Sequence, residues 1–401
     1  MVDEKEKSTC SGCWACVGTC PKGCISMESD EQGFPYPVID HEKCVGCGKC
    51  DRVCSMAAQK ANRENTPKAF AAFAKDEQLQ KNSSSGGIFT LLCRAVLAEG
   101  GIVAGVAMRQ DMRKAEHTFV EKDSEIGALR GAKYLQSELP GCFPQIKSLL
   151  GDGRKVLFSG TPCQVSGLKA YLGKEYENLL CVDMICHGVP SPMVWAKYCE
   201  ETEKKANGRI RSVNFRYKKY TWEKLRKKDI SIYISKKQDP YMRLFLADYT
   251  LRPSCYACLH KGISRKSDLT IADFWGVNRI VPGFSNGAGT SLIMVHTKKG
   301  EKYLQKISDS TVMQEADPIA AVQKNGAAVN SAQRPQRQAE FWNELKNRSI
   351  GQLADEYVPI DTKEKLKSML THSSGYGLLK KGKNMNMEDG ILFVIDKETH
   401  A

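Results

Sequence analysis

Cys10-Ser11-Gly12-Cys13-Trp14-Ala15-Cys16-Val17-Gly18-Thr19-Cys20-Pro21 carries a spacing that Cys44-Val45-Gly46-Cys47-Gly48-Lys49-Cys50-Asp51-Arg52-Val53-Cys54 repeats. Both stretches read C-x2-C-x2-C-x3-C. Three thiolates at two-residue gaps wrap one iron–sulfur cube corner by corner. The fourth lies too far along the chain to close the same cube and crosses to a second cluster. The spacing therefore predicts one 4Fe-4S cluster on Cys10, Cys13, Cys16 and Cys54, and another on Cys44, Cys47, Cys50 and Cys20. Zinc is the weaker reading, because its C-x2-C ligands come as pairs rather than triplets.

Residues 10–54 resemble a bacterial-type two-cluster ferredoxin inserted as a domain. Ser55 stands where a proline is expected after the second set, and Cys24 adds a fifth thiol. Cys24 is expected to pack beside a cluster rather than to bind it.

The chain has 401 residues, enough for two or three domains with cores of their own. Its 17 cysteines are not those of a short secreted disulfide scaffold. The start, Met1-Val2-Asp3-Glu4-Lys5-Glu6-Lys7, lacks the apolar segment of a signal peptide. The longest charge-free run, Ile280 to Thr297, is broken by glycines and polar residues and does not read as a membrane span. A cytoplasmic, oxygen-poor setting is expected.

A polar linker, Gln59 to Lys68, follows the cysteine repeat. Ala69–Phe73 is a short apolar run, while Gly101–Met108, Lys155–Ser159 and Leu179–Ile185 read as buried strands. Ile88–Ala98, Phe143–Leu150 and Gln164–Leu172 have helical spacing. Strands alternating with helices predict a mostly parallel α/β sheet. Residues 210–237 and 290–297 read as antiparallel strands added at one side. The expected fold class is therefore α+β / α/β: a small ferredoxin-like domain, then an α/β domain with a mixed sheet. Its expected parts are 1–60, the two-cluster domain; 69–152, the first part of a flavin-binding region; 153–345, holding a third cluster and a basic hairpin; and 346–401, an extension of unknown role.

A further set of cysteines lies in the second half. Cys255 and Cys258 form a C-x2-C pair after Pro253. Cys163, in Gly160-Thr161-Pro162-Cys163-Gln164, falls between a strand and a helix, where backbone N–H groups are expected to lower a thiol's pKa. Cys186 also follows a strand. Strand-end loops of a parallel sheet meet at one edge, so Cys163, Cys186, Cys255 and Cys258 are candidates for a third 4Fe-4S cluster. Two alternatives stay open: zinc at Cys255 and Cys258 with other ligands, or a redox-active thiol at Cys163. Cys93, Cys142, Cys181 and Cys199 read as core filling.

Asn82-Ser83-Ser84-Ser85-Gly86-Gly87 leads straight into a helix, an arrangement that cradles anions such as a dinucleotide pyrophosphate. Arg130-Gly131-Ala132-Lys133-Tyr134 adds two cations and a ring. A lysine near the electron-poor edge of an isoalloxazine would stabilise its reduced anion. The bland alternatives are an ordinary helix cap and a solvated turn.

In order along the chain, Ser84-Ser85-Gly86-Gly87, Arg130-Gly131-Ala132-Lys133-Tyr134, Gly160-Thr161-Pro162-Cys163-Gln164, Cys186-His187-Gly188, Cys255-x2-Cys258 and Ala272-Asp273-Phe274-Trp275-Gly276 resemble the family of beta subunits of coenzyme F-420 (deazaflavin) hydrogenases and dehydrogenases. The resemblance covers roughly residues 10–340. It implies an iron–sulfur flavoprotein oxidoreductase, with FAD contacts at Ser84, Ser85, Gly86, Gly87, Arg130 and Lys133. Cluster ligands are implied at Cys163, Cys186, Cys255 and Cys258. Ala132 departs from the serine usual in the family, so the resemblance implies one hydrogen bond fewer to the cofactor at that position. His187 and Asp273 are candidates for supplying a proton near the flavin, each weighed against a purely structural role.

The net charge is +13, and Lys204 to Lys237 alone holds thirteen Lys or Arg against two acids. A solvated strand pair explains this patch without a partner. An anionic small-molecule acceptor comes next and nucleic acid last, since no RNA-binding motif accompanies the aromatics. The expected function is a relay: ferredoxin or a partner subunit supplies electrons, the clusters pass them to FAD, and a two-electron acceptor receives them. The alternatives are a flavin-free electron-transfer subunit of a larger complex and an iron–sulfur protein gripping nucleic acid through its basic hairpin.

Overall fold

The apolar runs become the interior of a nine-stranded sheet. The computed structural model describes residues 1–55, 66–216, 229–234, 238–360, 385–388 and 391–394. Its strands are β1 (Ile25–Ser29), β2 (Pro35–Ile39), β3 (Lys68–Ala74), β4 (Ile102–Met108), β5 (Ala115–Val120), β6 (Ser137–Glu138), β7 (Val156–Ser159), β8 (Leu179–Met184), β9 (Arg209–Asn214), β10 (Asp229–Ile234), β11 (Leu269–Asp273), β12 (Ser291–Val295) and β13 (Thr311–Ala316). The large sheet runs β13-β3-β12-β11-β8-β7-β4-β5-β6.

Strands β4, β7, β8 and β11 are mutually parallel. β12 is antiparallel to both β11 and β3, so β3 again points the way of the parallel set. Both faces of these central strands are covered, which explains why they read as unbroken apolar runs rather than alternating ones. All four residues of β7 and all five of β12 are buried. On one face Leu157, Leu180 and Ile293 pack against Leu92 and Val96 of the helix Ile88–Leu97. On the other, Phe158 and Cys181 meet Phe143 and Ile146 of Cys142–Gly151, and Val165 and Leu168 of Pro162–Leu172. β12 is thus not an addition at one side: it lies inside the sheet, between β11 and β3.

The N-terminal cysteine segment shares that second core. Ala15 is buried in it, with Cys13, Trp14 and Val53 packed against it. Contacts divide the chain into two compact units. One comprises 1–107, 115–189 and 252–332, and the other 108–114, 190–251 and 333–401.

In the second unit, the helices Pro192–Ala206 and Pro240–Leu246 centre on Trp195, which is fully buried among Tyr198, Phe215 and Tyr241. The indole nitrogen donates to the Met112 carbonyl at 2.8 Å. Trp195→Ala is expected to cost about 3–5 kcal/mol, read as a lowered denaturation midpoint by tryptophan-independent circular dichroism.

The expected antiparallel hairpin over 210–237 is corrected here. β9 and β10 pair in parallel, with Ile210 opposite Ile230 and Val213 opposite Ile232. Apolar alternation sorts residues to two faces but says nothing about strand direction, and the long connection between these strands is what a parallel crossover requires. The basic residues at 217–228 lie outside the described residues, as do those at 235–237. β14 (Met385–Glu388) and β15 (Ile391–Val394) complete this small sheet in the order β14-β15-β10-β9. Among the described residues no helix is long and apolar enough to cross a membrane.

Candidate metal centres and cofactor cradle

Cys10, Cys13, Cys16 and Cys54 come within electrostatic reach of one another. Burial raises the Cys16 thiol first, and the neighbouring Cys13, Cys10 and Cys54 raise it further. Cys13 is raised by burial and by Cys10 and Cys54, against partial relief from Ala15 N–H and Ser55. Ser55 is buried, with its hydroxyl 3.9 Å from Cys13 Sγ. Cys20, Cys44 and Cys50 gather around Val2, Cys24, Ile25 and Ile39, a cluster that Cys16 of the first set also touches. Cys24 is buried with its sulfur 3.3 Å from that of Cys20, whose contact is the main reason its thiol is pushed up to about 11. Cys47 is exposed, on a loop whose Val45 is exposed as well.

The third set converges from three separate stretches. Cys163, Cys186, Cys255 and Cys258 line one cavity, together with Ser11, His187, His260, Lys261 and Arg265. The local sequence explains each position. Thr161 precedes the helix Pro162–Leu172 and its N–H donates to Gln164 Oε1 at 2.9 Å, while Pro162 fits the first turn. Cys163 is thereby held in that turn at the end of β7. Cys186 follows β8, the parallel neighbour of β7. Cys255 lies in the 3-10 turn Pro253–Ala257, and Cys258 caps it, its N–H donating to Ser331 Oγ at 3.0 Å.

Cys163's thiol is raised, not lowered as its helical position predicts. Burial dominates, with Cys186, Cys258 and Cys13 adding to it, while the Thr161 hydroxyl 3.1 Å away offsets only part. Burial and then Cys186 push Cys255 up to about 12. Such thiols ionise only beside concentrated positive charge, which a coordinated metal supplies outright. Protein cations contribute too. Lys261 and Arg265 draw Cys186 down against its burial. Lys261 Nζ donates to the Cys186 carbonyl at 2.5 Å and to that of Ala327 at 2.9 Å. His260 Nε2 is buried without a hydrogen bond, and Arg265 Nη1 is buried facing the Asp183 carboxylate at 3.8 Å. Neither Lys261 nor Arg265 was anticipated; the one signal was the closeness of Lys261 to Cys258. Among the described residues no three His, Cys, Asp or Glu side chains gather at the spacing of a single bound ion. In a cube, by contrast, each cysteine takes a separate iron.

The first and third cysteine sets adjoin. At Gly167, in the helix that Cys163 begins, a Cβ would stand 2.9 Å from both Cys13 Cβ and Cys13 Sγ, so only glycine admits this approach.

The serine–glycine stretch packs on the same edge of the sheet. Ala72 of β3, Ser291 of β12 and Asp273 of β11 lie side by side. Gly86 N donates to Ser291 Oγ at 2.9 Å, and Ser85 Oγ to the Thr290 carbonyl at 2.8 Å. A Cβ at Gly86 would meet the Ala72 carbonyl oxygen at 2.4 Å. Ser84 Oγ accepts from Ala132 N at 2.8 Å, which ties the two candidate flavin loops together. Lys133 Nζ donates to the carbonyls of Ala128 and Arg130, and desolvation brings its ammonium down to about 7. Arg130 Nε is buried without a hydrogen bond. Asp273 accepts from Trp275 Nε1 at 3.2 Å. Asp273 thus lies beside the cradle and His187 at the sulfur cavity.

Fold and cysteine sets together define an iron–sulfur protein of mixed α/β architecture. Residues 9–58 match the 4Fe-4S dicluster domain model. Residues 69–142 and 153–320 match the N-terminal and C-terminal models of the Coenzyme F420 hydrogenase/dehydrogenase beta subunit, more than half of the chain between them, and the chain belongs to that family. It is 24% identical over 200 residues to a subunit of the F(420)H(2) dehydrogenase of Methanosarcina mazei, covering 46% of this chain and 56% of that one. The PorD subunit of pyruvate synthase from Methanothermobacter marburgensis is 37% identical over 59 residues, 15% of this chain and 63% of that one. The chain spans little more than half the length of these relatives. The F420-reducing [NiFe] hydrogenase complex from Methanosarcina barkeri includes a chain similar at 19% identity and a TM-score of 0.40, over 64% of this chain and 84% of that one.

Proposed function

We propose that this chain is an iron–sulfur flavoprotein subunit that relays single electrons, received from ferredoxin or a partner subunit, through three 4Fe-4S clusters to FAD and on to a two-electron anionic acceptor, a deazaflavin among the candidates. When bound, clusters exchange electrons singly and a flavin converts single transfers into paired ones. The observation that carries this reading is the cavity shared by Cys163, Cys186, Cys255 and Cys258, with Cys13 packed against its helix. The residues fit the groups. Four half-buried cysteines line one cavity with Lys261, whose charge suits an anionic cluster, and with Arg265, whose charge is shared with Asp183. The Ser84 hydroxyl and the Arg130 guanidinium offer donors to a pyrophosphate, while Ser85 Oγ and Gly86 N–H bond Thr290 and Ser291 and shape the loop.

Three strand steps, from β3 through β12 and β11 to β8, separate the cradle from Cys186, roughly 15 Å at the usual strand spacing. The exposed Cys47 and Val45 favour electron intake at the Cys44 end. Asp273 and His187 would hold or move a proton at their carboxylate and imidazole. The relatives named as dehydrogenase and synthase subunits support a partner subunit here too.

Anaerobic purification with iron and flavin counts tests the proposal. About twelve irons and one FAD per chain are expected; about eight irons without flavin would leave the flavin-free carrier. A second measurement concerns Lys133. Its ammonium loses its proton as pH rises through about 7, so affinity for the anionic FAD should fall between pH 6 and 8. That slope should flatten in Lys133→Met.

A further inference from the structure

Arg252 immediately precedes the turn Pro253–Ala257 that carries Cys255, and its side chain is fully buried. Nε donates to the Cys10 carbonyl at 2.7 Å, and Nη2 to the Pro35 carbonyl at 2.9 Å. Nη1 donates to Gln136 Oε1 at 3.1 Å. Nη2 also reaches Cys10 Sγ at 3.6 Å. The Tyr36 ring lies 4.3 Å from the guanidinium carbon and the Phe34 ring 5.6 Å. Gln136 is held in this orientation because its Nε2 donates to the carbonyls of Ser11 and Gly12.

Every polar partner of this guanidinium is therefore a carbonyl, an amide or a sulfur. Among the described residues no carboxylate pairs with Arg252. A buried charge in such surroundings calls for a counter-charge. The sulfur it touches is Cys10 Sγ, and its charge also reaches the Cys255 thiol three residues along. Lys5, the other cation near this cysteine set, differs: it lies close to Cys54 but is partly exposed and bonds Asp51 at 3.4 Å, so its charge is offset.

We infer that Arg252 is the built-in counter-charge of the cluster on Cys10, Cys13, Cys16 and Cys54, that it raises that cluster's reduction potential above the value the cysteines alone would set, and that through its backbone it fixes the Cys255 turn beside it. The inference rests on the cluster reading above. Reduction adds one negative charge to the cluster, so a fixed cation and an N–H directed at a ligand sulfur both favour the reduced state. Arg252 is a positioning and tuning residue rather than a catalytic one.

The test is a redox titration followed by electron paramagnetic resonance on anaerobically purified wild type, Arg252→Lys, Arg252→Gln and Gln136→Glu. In Arg252→Gln one cluster signal should shift so that its reduced-to-oxidised ratio falls about tenfold at fixed poise, equivalent to about 59 mV for one electron. The signal of the cluster assigned to Cys44, Cys47, Cys50 and Cys20 stays in place, and that of the cluster beside Cys255 moves less than the one beside Cys10. Arg252→Lys keeps the charge and should move the same signal less. Gln136→Glu keeps an acceptor for Arg252 Nη1 and adds a negative charge beside it, at the loss of the donor to the Ser11 and Gly12 carbonyls, so it should shift that signal in the same direction. It decides the matter if Arg252→Gln does not fold. Full iron with unchanged potentials in all three variants overturns the inference, as does iron loss in Arg252→Gln alongside an unmoved potential in Gln136→Glu. Wild-type protein without iron would instead remove the cluster reading itself.

Discussion

Cys163→Ala is expected to yield folded protein that lacks about four of its roughly twelve irons, the content of one cluster. FAD should remain bound, since no cradle residue is touched. Signals from the N-terminal clusters should persist, but reduction of the flavin through the chain should fall to background, because the site adjoining Cys13 has lost a ligand. The comparison that makes the result specific is Cys181→Ala. Cys181 is fully buried in the core against Phe158 and Phe143 and lines no cavity with the other sulfurs. Its loss should cost about 1 kcal/mol in packing and leave the iron count intact. Equal iron in the two variants would remove the third centre from the proposal.

Gly86→Val should abolish flavin binding while sparing the iron bound by the N-terminal cysteines. The new Cβ would stand 2.4 Å from the Ala72 carbonyl, 2.9 Å from Ser291 N and 3.0 Å from Phe73 Cα, all of them backbone atoms that cannot rotate away. The loop must leave the β3–β12 edge. It then gives up the bond from Gly86 N to Ser291 Oγ and the one from Ala74 N to the Gly86 carbonyl. Overpacking and two lost hydrogen bonds together amount to about 3 kcal/mol, measured by thermal or denaturant unfolding. Ser84→Ala is the mild counterpart. It removes only the acceptor for Ala132 N, should cost about 1 kcal/mol, and should weaken FAD binding without abolishing it. Retained flavin in Gly86→Val would place the cofactor elsewhere.

The positions of the central strands were legible because burial on both faces leaves a continuous apolar run, as in β7, β8 and β4. The helix that begins at Pro162 was legible from a threonine, a proline and a glutamine in the order a first turn requires. The direction of β10 was not, since the Val213, Phe215, Ile230 and Ile232 pattern is the same whichever way the strand runs. Nor was the Cys163 thiol's environment. A helix start favours the thiolate, but the sign of the shift is decided by burial and by sulfurs contributed from Cys186 and Cys258.

The twice-repeated cysteine spacing is legible from the amino-acid order alone and by itself sets the expectation of 4Fe-4S clusters in the N-terminal segment, which matches the 4Fe-4S dicluster domain model, because chain length limits how far a thiolate reaches. Only the tertiary structure brought Cys163, Cys186, Cys255 and Cys258 to one cavity, ringed it with Lys261 and Arg265, and set Arg252 on Cys10 across 242 positions. Parallel strands whose ends share an edge join residues remote in sequence, and the charge that one such residue exerts on another depends on distance in space, which no local pattern records.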